Sequence, residues 1–232
     1  HEDDDPGTTW NERARSDKPD HMSPRMAWRA IQAAMPNNAI ISSDIGNNCA
    51  IGNAYPSFQE GRKYLAPGLF GPCGYGFPAI AGAKIAQPKV PVIGFAGDGA
   101  FGISMNEMTA VGRGEWPAIT MVIFRNYQWG AEKRNTTLWF DDNFVGTELD
   151  EDVSYAAIAN ACGLVGVQAT SMDDLTDKLD AAIKAQMNEG KTTFIEIILN
   201  KELGEPFRRD AMKAPVSVAG ISKNDMIPQK GA

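Results

Sequence analysis

Asp98 and Asn126 stand 28 residues apart and carry the chemistry to hold a hard cation. Each closes an apolar run. VPVIGFA (90–96) leads into Gly97-Asp98-Gly99, and ITMVIF (119–124) leads into Arg125-Asn126. Two buried parallel strands joined by a helix place both side chains on the same rim of a sheet. In open α/β sheets that carboxyl rim is where ligands bind. One carboxylate and one amide oxygen, with glycine-freed backbone beside them, suit a Mg²⁺ ion carrying diphosphate oxygens. Two further stretches could cradle phosphate or admit a ligand. Asp44-Ile45-Gly46-Asn47-Asn48 follows a short apolar segment, and a strand leading into such a turn and a helix start is suited to anions. Residues 68–78 hold four glycines and two prolines. At that density the backbone reaches positive φ and approaches a ligand closely, and no regular element is expected there.

The elements that must position these residues follow from periodicity. Residues 39–42, 63–66, 90–96, 119–124, 164–168 and 192–199 read as strands. Ser23-Pro24 is a helix start, with Ser as cap and Pro in the first turn. Met26, Ala27, Ala30, Ile31, Ala34 and Met35 form its expected buried face. Further helices are expected over 79–86, over 104–112 with Met105, Met108 and Val111 inward, over 152–161, and over 172–188 behind the Ser171 cap. Residues 127–149 show no period and read as a long functional or mobile loop. The tally predicts an α/β fold, a parallel sheet of about six strands with helices on both faces. Residues 1–22 read as a linker or arm, 23–200 as the cofactor domain, and 201–232 as a polar tail containing the cationic segment Glu205-Pro206-Phe207-Arg208-Arg209.

Composition narrows the function classes. The 232 residues carry a net charge of −7 with a pI near 4.9, which argues against a nucleic-acid partner. No apolar run approaches the roughly 20 residues that span a bilayer. Cys49, Cys73 and Cys162 lack metal or disulfide spacing, which fits a reducing cytosol and a cytoplasmic location. His1 and His21 both lie in the polar leader, so a histidine triad or histidine metal cluster is not expected. No GxGxxG follows a strand, which weakens a dinucleotide site. The chain begins at His1, and a piece of a longer protein is expected.

Taken in order, Asp44-Ile45-Gly46-Asn47, Gly71-Pro72-Cys73-Gly74-Tyr75-Gly76-Phe77-Pro78, Gly97-Asp98-Gly99 and the following Asn126 resemble the signature of thiamine-diphosphate-dependent enzymes. The resemblance implies thiamine diphosphate and Mg²⁺ as cofactors. It implies metal ligation by the Asp98 and Asn126 side chains and the Gln128 carbonyl. Gly46, Asn47, Gly99 and Ala100 would offer N–H groups to the diphosphate, with Ile45, Asn48, Gly97 and Gly130 around it. Gly71 would accept from the aminopyrimidine, and Cys73 would lie between the cofactor's rings, where the family usually carries Met, Leu or Ile. Arg125 stands where a first Asn often sits.

Within the family, residues 97–108 (GDGAFGISMNEM), 124–135 (FRNYQWGAEKRN) and 204–211 (GEPFRRDA) are similar to the branch that turns sulfoacetaldehyde and phosphate into acetyl phosphate and sulfite. Both substrates are anions, so Lys133, Arg134, Arg208 and Arg209 are the expected anion-binding residues. The family also needs a Glu against the aminopyrimidine. That residue belongs to a pyrimidine-binding domain, usually of a neighbouring subunit, so a homodimer or homotetramer is implied and this chain alone is expected to show little turnover. Other readings are an acetolactate-synthase-like decarboxylase or carboligase, a cofactor-binding subunit needing a partner chain, and another phosphate-binding α/β module.

Overall fold

The computed structural model describes residues 21–52, 55–58, 63–139 and 143–202, with the main chain alone at 48–50, 135 and 137–139. The element order is α1 (Pro24–Ala34), β1 (Ile40–Ser43), α2 (Asn47–Gly52), β2 (Tyr64–Leu65), α3 (Gly76–Ala86), β3 (Val92–Gly97) and α4 (Asp98–Ser104). A 3₁₀ turn (Met105–Glu107) leads to α5 (Met108–Val111), β4 (Thr120–Arg125), α6 (Gly130–Trp139), α7 (Tyr155–Ala161) and β5 (Val165–Ala169). The last elements are α8 (Met172–Lys184), a π turn (Ala185–Glu189) and β6 (Thr193–Ile198).

The six strands form one wholly parallel sheet in the order β2-β1-β3-β4-β6-β5. Strand side chains alternate between two cores, as the two-residue period requires. Ile41, Ile93, Phe95, Val122, Phe124, Ile195 and Ile197 meet α1 and α8 on one face. Ile40, Val92, Ala96, Met121, Ile123 and Phe194 meet α3, α4, α5 and α7 on the other. A sheet covered on both faces explains why the strands read as continuous apolar runs. The connection from β1 leaves toward β2 and that from β3 toward β4, so the crevice between β1 and β3 is the topological switch point.

Several local expectations change. Ser23 does cap α1, accepting from Met26 N, but Met26 is 40% exposed and Trp28 is fully buried in its place. The inner stripe of α1 runs through Ala27, Trp28 and Ile31, so it is wider than the aliphatic pattern indicated. Met105 is 38% exposed, because the 3₁₀ turn after Ser104 shifts the helical phase, while Met108 and Val111 point inward. Regular structure starts inside the glycine-rich stretch: Gly76, Phe77 and Pro78 are the first turn of α3, where a missing proline N–H costs nothing. The long loop after Asn126 contains α6, which has no apolar stripe to announce it. The arm up to residue 20 and the tail from residue 203, with Arg208 and Arg209, lie outside the described residues.

Candidate functional site

β3 and β4 are neighbours with Gly97 opposite Phe124, so Asp98 and Asn126 emerge side by side on the carboxyl rim. Asp98 is fully buried. Its Oδ2 accepts from Tyr127 N at 2.6 Å and from Arg125 Nη1 at 3.1 Å, and its Oδ1 accepts from Gly99 N at 2.9 Å. Burial pushes the Asp98 carboxyl up to about 6, against the opposing pull of Arg125 and the two N–H groups. Tyr127 has φ 60°, the positive value alone among the described non-glycine residues. Directly beyond this left-handed residue, the Gln128 carbonyl lies 3.1 Å from the Asn126 amide.

The Asn126 amide lies 3.1 Å from both Asp98 Oδ1 and Gln128 O. With its nitrogen turned inward it donates to both. With its oxygen inward, the amide oxygen would face two other oxygens, an arrangement that a cation would reconcile. One carboxylate, one amide and one main-chain carbonyl within hydrogen-bond distance thus fit a Mg²⁺ donor set. Among the described residues no cluster of three or more His, Cys, Asp or Glu could hold a metal, so a thiolate or imidazole centre has no counterpart there.

Asp98, Asn126 and Gln128 line a cavity of about 160 Å³ at the switch point. The cofactor-contact residues expected from the sequence whose side chains are described all line it. Gly46, at φ +110°, turns the chain out of β1, where an L side chain would be strained. Asp44 joins this turn to the glycine-rich loop. Its Oδ1 accepts from Ile45 N (2.9 Å) and Gly74 N (3.1 Å), and its Oδ2 accepts from Gly76 N (2.7 Å). Burial raises the Asp44 carboxyl, and the N–H groups of Gly76, Ile45 and Gly74 oppose that. Cys73 sits on this loop. Burial, then the charges of Asp44 and Glu132, push its thiol up.

The described cavity wall carries the carboxylates Asp98, Glu132 and Glu202 and no Lys or Arg. A diphosphate would be repelled here unless a divalent cation stood between. Lys133 and Arg134 lie on α6 behind the wall. Lys133 is ion-paired with Glu148 and sits 5.0 Å from the Phe144 ring. Arg134 is 8% exposed, and burial holds its guanidinium below its ordinary value, with Glu132 opposing.

Sequence reasoning passed over Trp129, whose ring lies against Gly99, and the carboxylates Glu132 and Glu202. It also missed Glu196, buried within the apolar run of β6. A charged residue in the middle of TTFIEIIL was the available signal.

The profile described as "Thiamine pyrophosphate enzyme, C-terminal TPP binding domain" matches residues 44–197. Sulfoacetaldehyde acetyltransferase of Roseovarius nubinhibens is 77% identical over 99% of this chain and 38% of its own length. The protein of that name from Rhodobacter capsulatus is 74% identical over 99% of this chain and 39% of its own length. The acetolactate synthase large subunit of Haemophilus influenzae is 24% identical over 90% of this chain and 34% of its own length. Among solved structures, a thiamine diphosphate-dependent 4-hydroxybenzoylformate decarboxylase from Rhodococcus jostii RHA1 shares the fold. Its TM-score is 0.70 at 22% identity, covering 78% of this chain and 33% of the other. The chain spans about two fifths of the length of the acetyltransferases it matches.

Proposed function

This chain belongs to the thiamine pyrophosphate enzymes, as their C-terminal cofactor-binding domain, and from that premise we propose that it is the cofactor half of a sulfoacetaldehyde acetyltransferase. Sulfoacetaldehyde and phosphate would become acetyl phosphate and sulfite, with Mg²⁺ and thiamine diphosphate (thiamine pyrophosphate) as cofactors. The observation that carries the metal–diphosphate assignment is that Asp98 Oδ1 and Gln128 O each lie 3.1 Å from the Asn126 amide. Identity of 77% over nearly the whole chain supports the acetyltransferase branch.

Asp98, Asn126 and Gln128 would hold the metal, and Gly46, Asn47 and Ala100 would present N–H groups to the diphosphate. Gly99 turns its own N–H to Asp98 and so contributes room for the diphosphate. Ile45, Asn48, Gly97 and Gly130 would surround this end, Gly71 would accept from the aminopyrimidine, and Cys73 would lie between the cofactor's rings. When bound, the thiazolium would supply the carbanion chemistry that lets the substrate's carbon–sulfur bond break and sulfite leave while the two carbons stay joined. The protein's part is orientation, exclusion of water and management of charge. Lys133 and Arg134, with Arg208 and Arg209 of the tail, would receive the sulfonate and phosphate, and Lys133 would exchange Glu148 for the substrate anion. A Glu from the pyrimidine-binding domain of a second subunit would activate the aminopyrimidine, in a cytoplasmic homodimer or homotetramer. No helix among the described residues is long and apolar enough to cross a membrane.

The test uses full-length enzyme carrying this chain. Sulfite should be released from sulfoacetaldehyde only with phosphate, Mg²⁺ and thiamine diphosphate present. Carbon dioxide from pyruvate without sulfite release would point instead to an acetolactate-synthase-like decarboxylase or carboligase.

A further inference from the structure

Behind Asp98 lies a buried charge network that the cofactor contacts leave unused. The Arg125 side chain is 1% exposed and spans three strands. Nη1 donates to Asp98 Oδ2 at 3.1 Å, and Nε lies 3.6 Å from Glu196 Oε1 on β6. Nη2 donates to the carbonyls of Asp150 and, at 3.1 Å, Val153. The guanidinium lies 4.4 Å from the Tyr127 ring and 5.2 Å from the Tyr155 ring. Glu196 is itself held by Tyr155 N, Ser154 Oγ, Ala156 N and Gln168 Nε2. Arg125 therefore cannot rotate away, and neither can the oxygen it grips.

This decides how Asp98 meets a cation. Arg125 and the Tyr127 N–H occupy Oδ2. Oδ1, which accepts from Gly99 N, is the oxygen that lies 3.1 Å from the Asn126 amide, and that amide lies 3.1 Å from the Gln128 carbonyl. A carboxylate locked this way offers one oxygen. Mg²⁺ takes six near-octahedral ligands at short distance, and single oxygens suit it. Ca²⁺ accepts up to eight at longer distance and gains from a carboxylate that gives both.

We propose that Arg125, braced by Glu196, is the positioning residue that restricts Asp98 to one oxygen and makes this corner selective for Mg²⁺ over Ca²⁺. The proposal rests on the rim being a metal–diphosphate site. In wild-type protein, Mg²⁺ and Ca²⁺ are titrated separately at saturating thiamine diphosphate, following intrinsic tryptophan fluorescence and calorimetric heat, and thermal midpoints are recorded in parallel. Arg125→Gln should raise the Mg²⁺ half-saturation by about 10–100-fold, the usual loss when the partner of a metal ligand is removed. Its Ca²⁺ half-saturation should rise much less, so the Mg²⁺ preference shrinks. Glu196→Gln should move the preference the same way by less, and Arg125→Lys should restore part of it. Arg125→Lys also serves as the test if Arg125→Gln does not fold. A lowered midpoint with an unchanged Mg²⁺-to-Ca²⁺ preference would overturn the positioning role alone. Wild-type protein that binds thiamine diphosphate equally without any divalent cation would overturn the metal–diphosphate assignment and this role with it.

Discussion

Two buried polar networks stand at opposite rims of the sheet, one open and the other closed. At the amino rim, Gln186 of the π turn reaches the first residues of β3 and β4. Its Oε1 accepts from Val92 N (2.9 Å) and Lys84 Nζ (3.4 Å), and its Nε2 donates to Val92 O (2.7 Å) and Thr120 Oγ1 (2.9 Å). Lys84 Nζ donates further to Val90 O at 2.9 Å, and burial lowers its ammonium below the ordinary value. Both ends of the Gln186 amide are used within the protein. At the carboxyl rim, Asp98, Arg125 and Glu196 are equally buried, yet Asp98, Asn126 and Gln128 line a cavity. Burial of charge therefore does not by itself mark a site. What separates the two rims is whether the acceptors converge on protein or on space.

The largest expected effect tests the open rim. Asp98→Ala should weaken Mg²⁺-dependent thiamine diphosphate binding by more than the roughly 100-fold that loss of a ligand's supporting partner costs; calorimetry giving the wild-type affinity would remove Asp98 from the metal. The closed rim should respond in stability. Gln186→Leu leaves Val92 and Thr120 polar groups without their partner and should cost about 2–4 kcal/mol, read from denaturant unfolding, while cofactor affinity stays at the wild-type value. A change in that affinity would erase the distinction between the rims. A third measurement asks how far the open rim extends. Arg134→Ala in the full-length enzyme should raise the phosphate or sulfoacetaldehyde requirement about tenfold, the loss of one charge-assisted hydrogen bond, with Lys133→Ala smaller because Glu148 already shares its charge. Equal changes in the cofactor requirement would remove both residues from anion binding. The smallest effect concerns Cys73. Its thiol is raised, so near pH 8 it stays more fully protonated than an ordinary thiol and should alkylate more slowly, gaining rate only as pH climbs further. Rapid labelling at pH 7, read by mass spectrometry at this residue, would contradict the burial and charge described for the loop.

The rim itself was legible from one chain. VPVIGFA and ITMVIF are long, bounded apolar runs, and a helix between them made the βαβ reading stable. Asp44, Gly46 and the glycine-rich stretch were legible for a related reason, since strand-to-turn transitions leave glycine and short polar residues in sequence order. Helix α6 was not. It buries small and polar groups such as Arg134, so no apolar stripe marks it. Trp28 escaped because an aromatic ring broadened the inner face of α1 beyond the alanines and isoleucines. Glu196 and Gln186 were invisible as partners: Gln186 lies 94 residues from Val92.

The sequence by itself determined the parallel α/β class and the placing of Asp98, Asn126 and the Gly46 turn on one rim. Those outcomes depend on local period and on parallel strands whose helical crossovers return each strand to the same direction. Only the tertiary structure decided that β6 inserts between β4 and β5. That order sets Glu196 opposite Ile123, two residues before Arg125 on the neighbouring strand, within reach of its guanidinium. Strand order depends on packing among distant segments, and with it goes the choice of partner for each buried charge. The chain's own order of residues named the oxygens for a cation, while the fold settled which oxygen of Asp98 is held by Arg125.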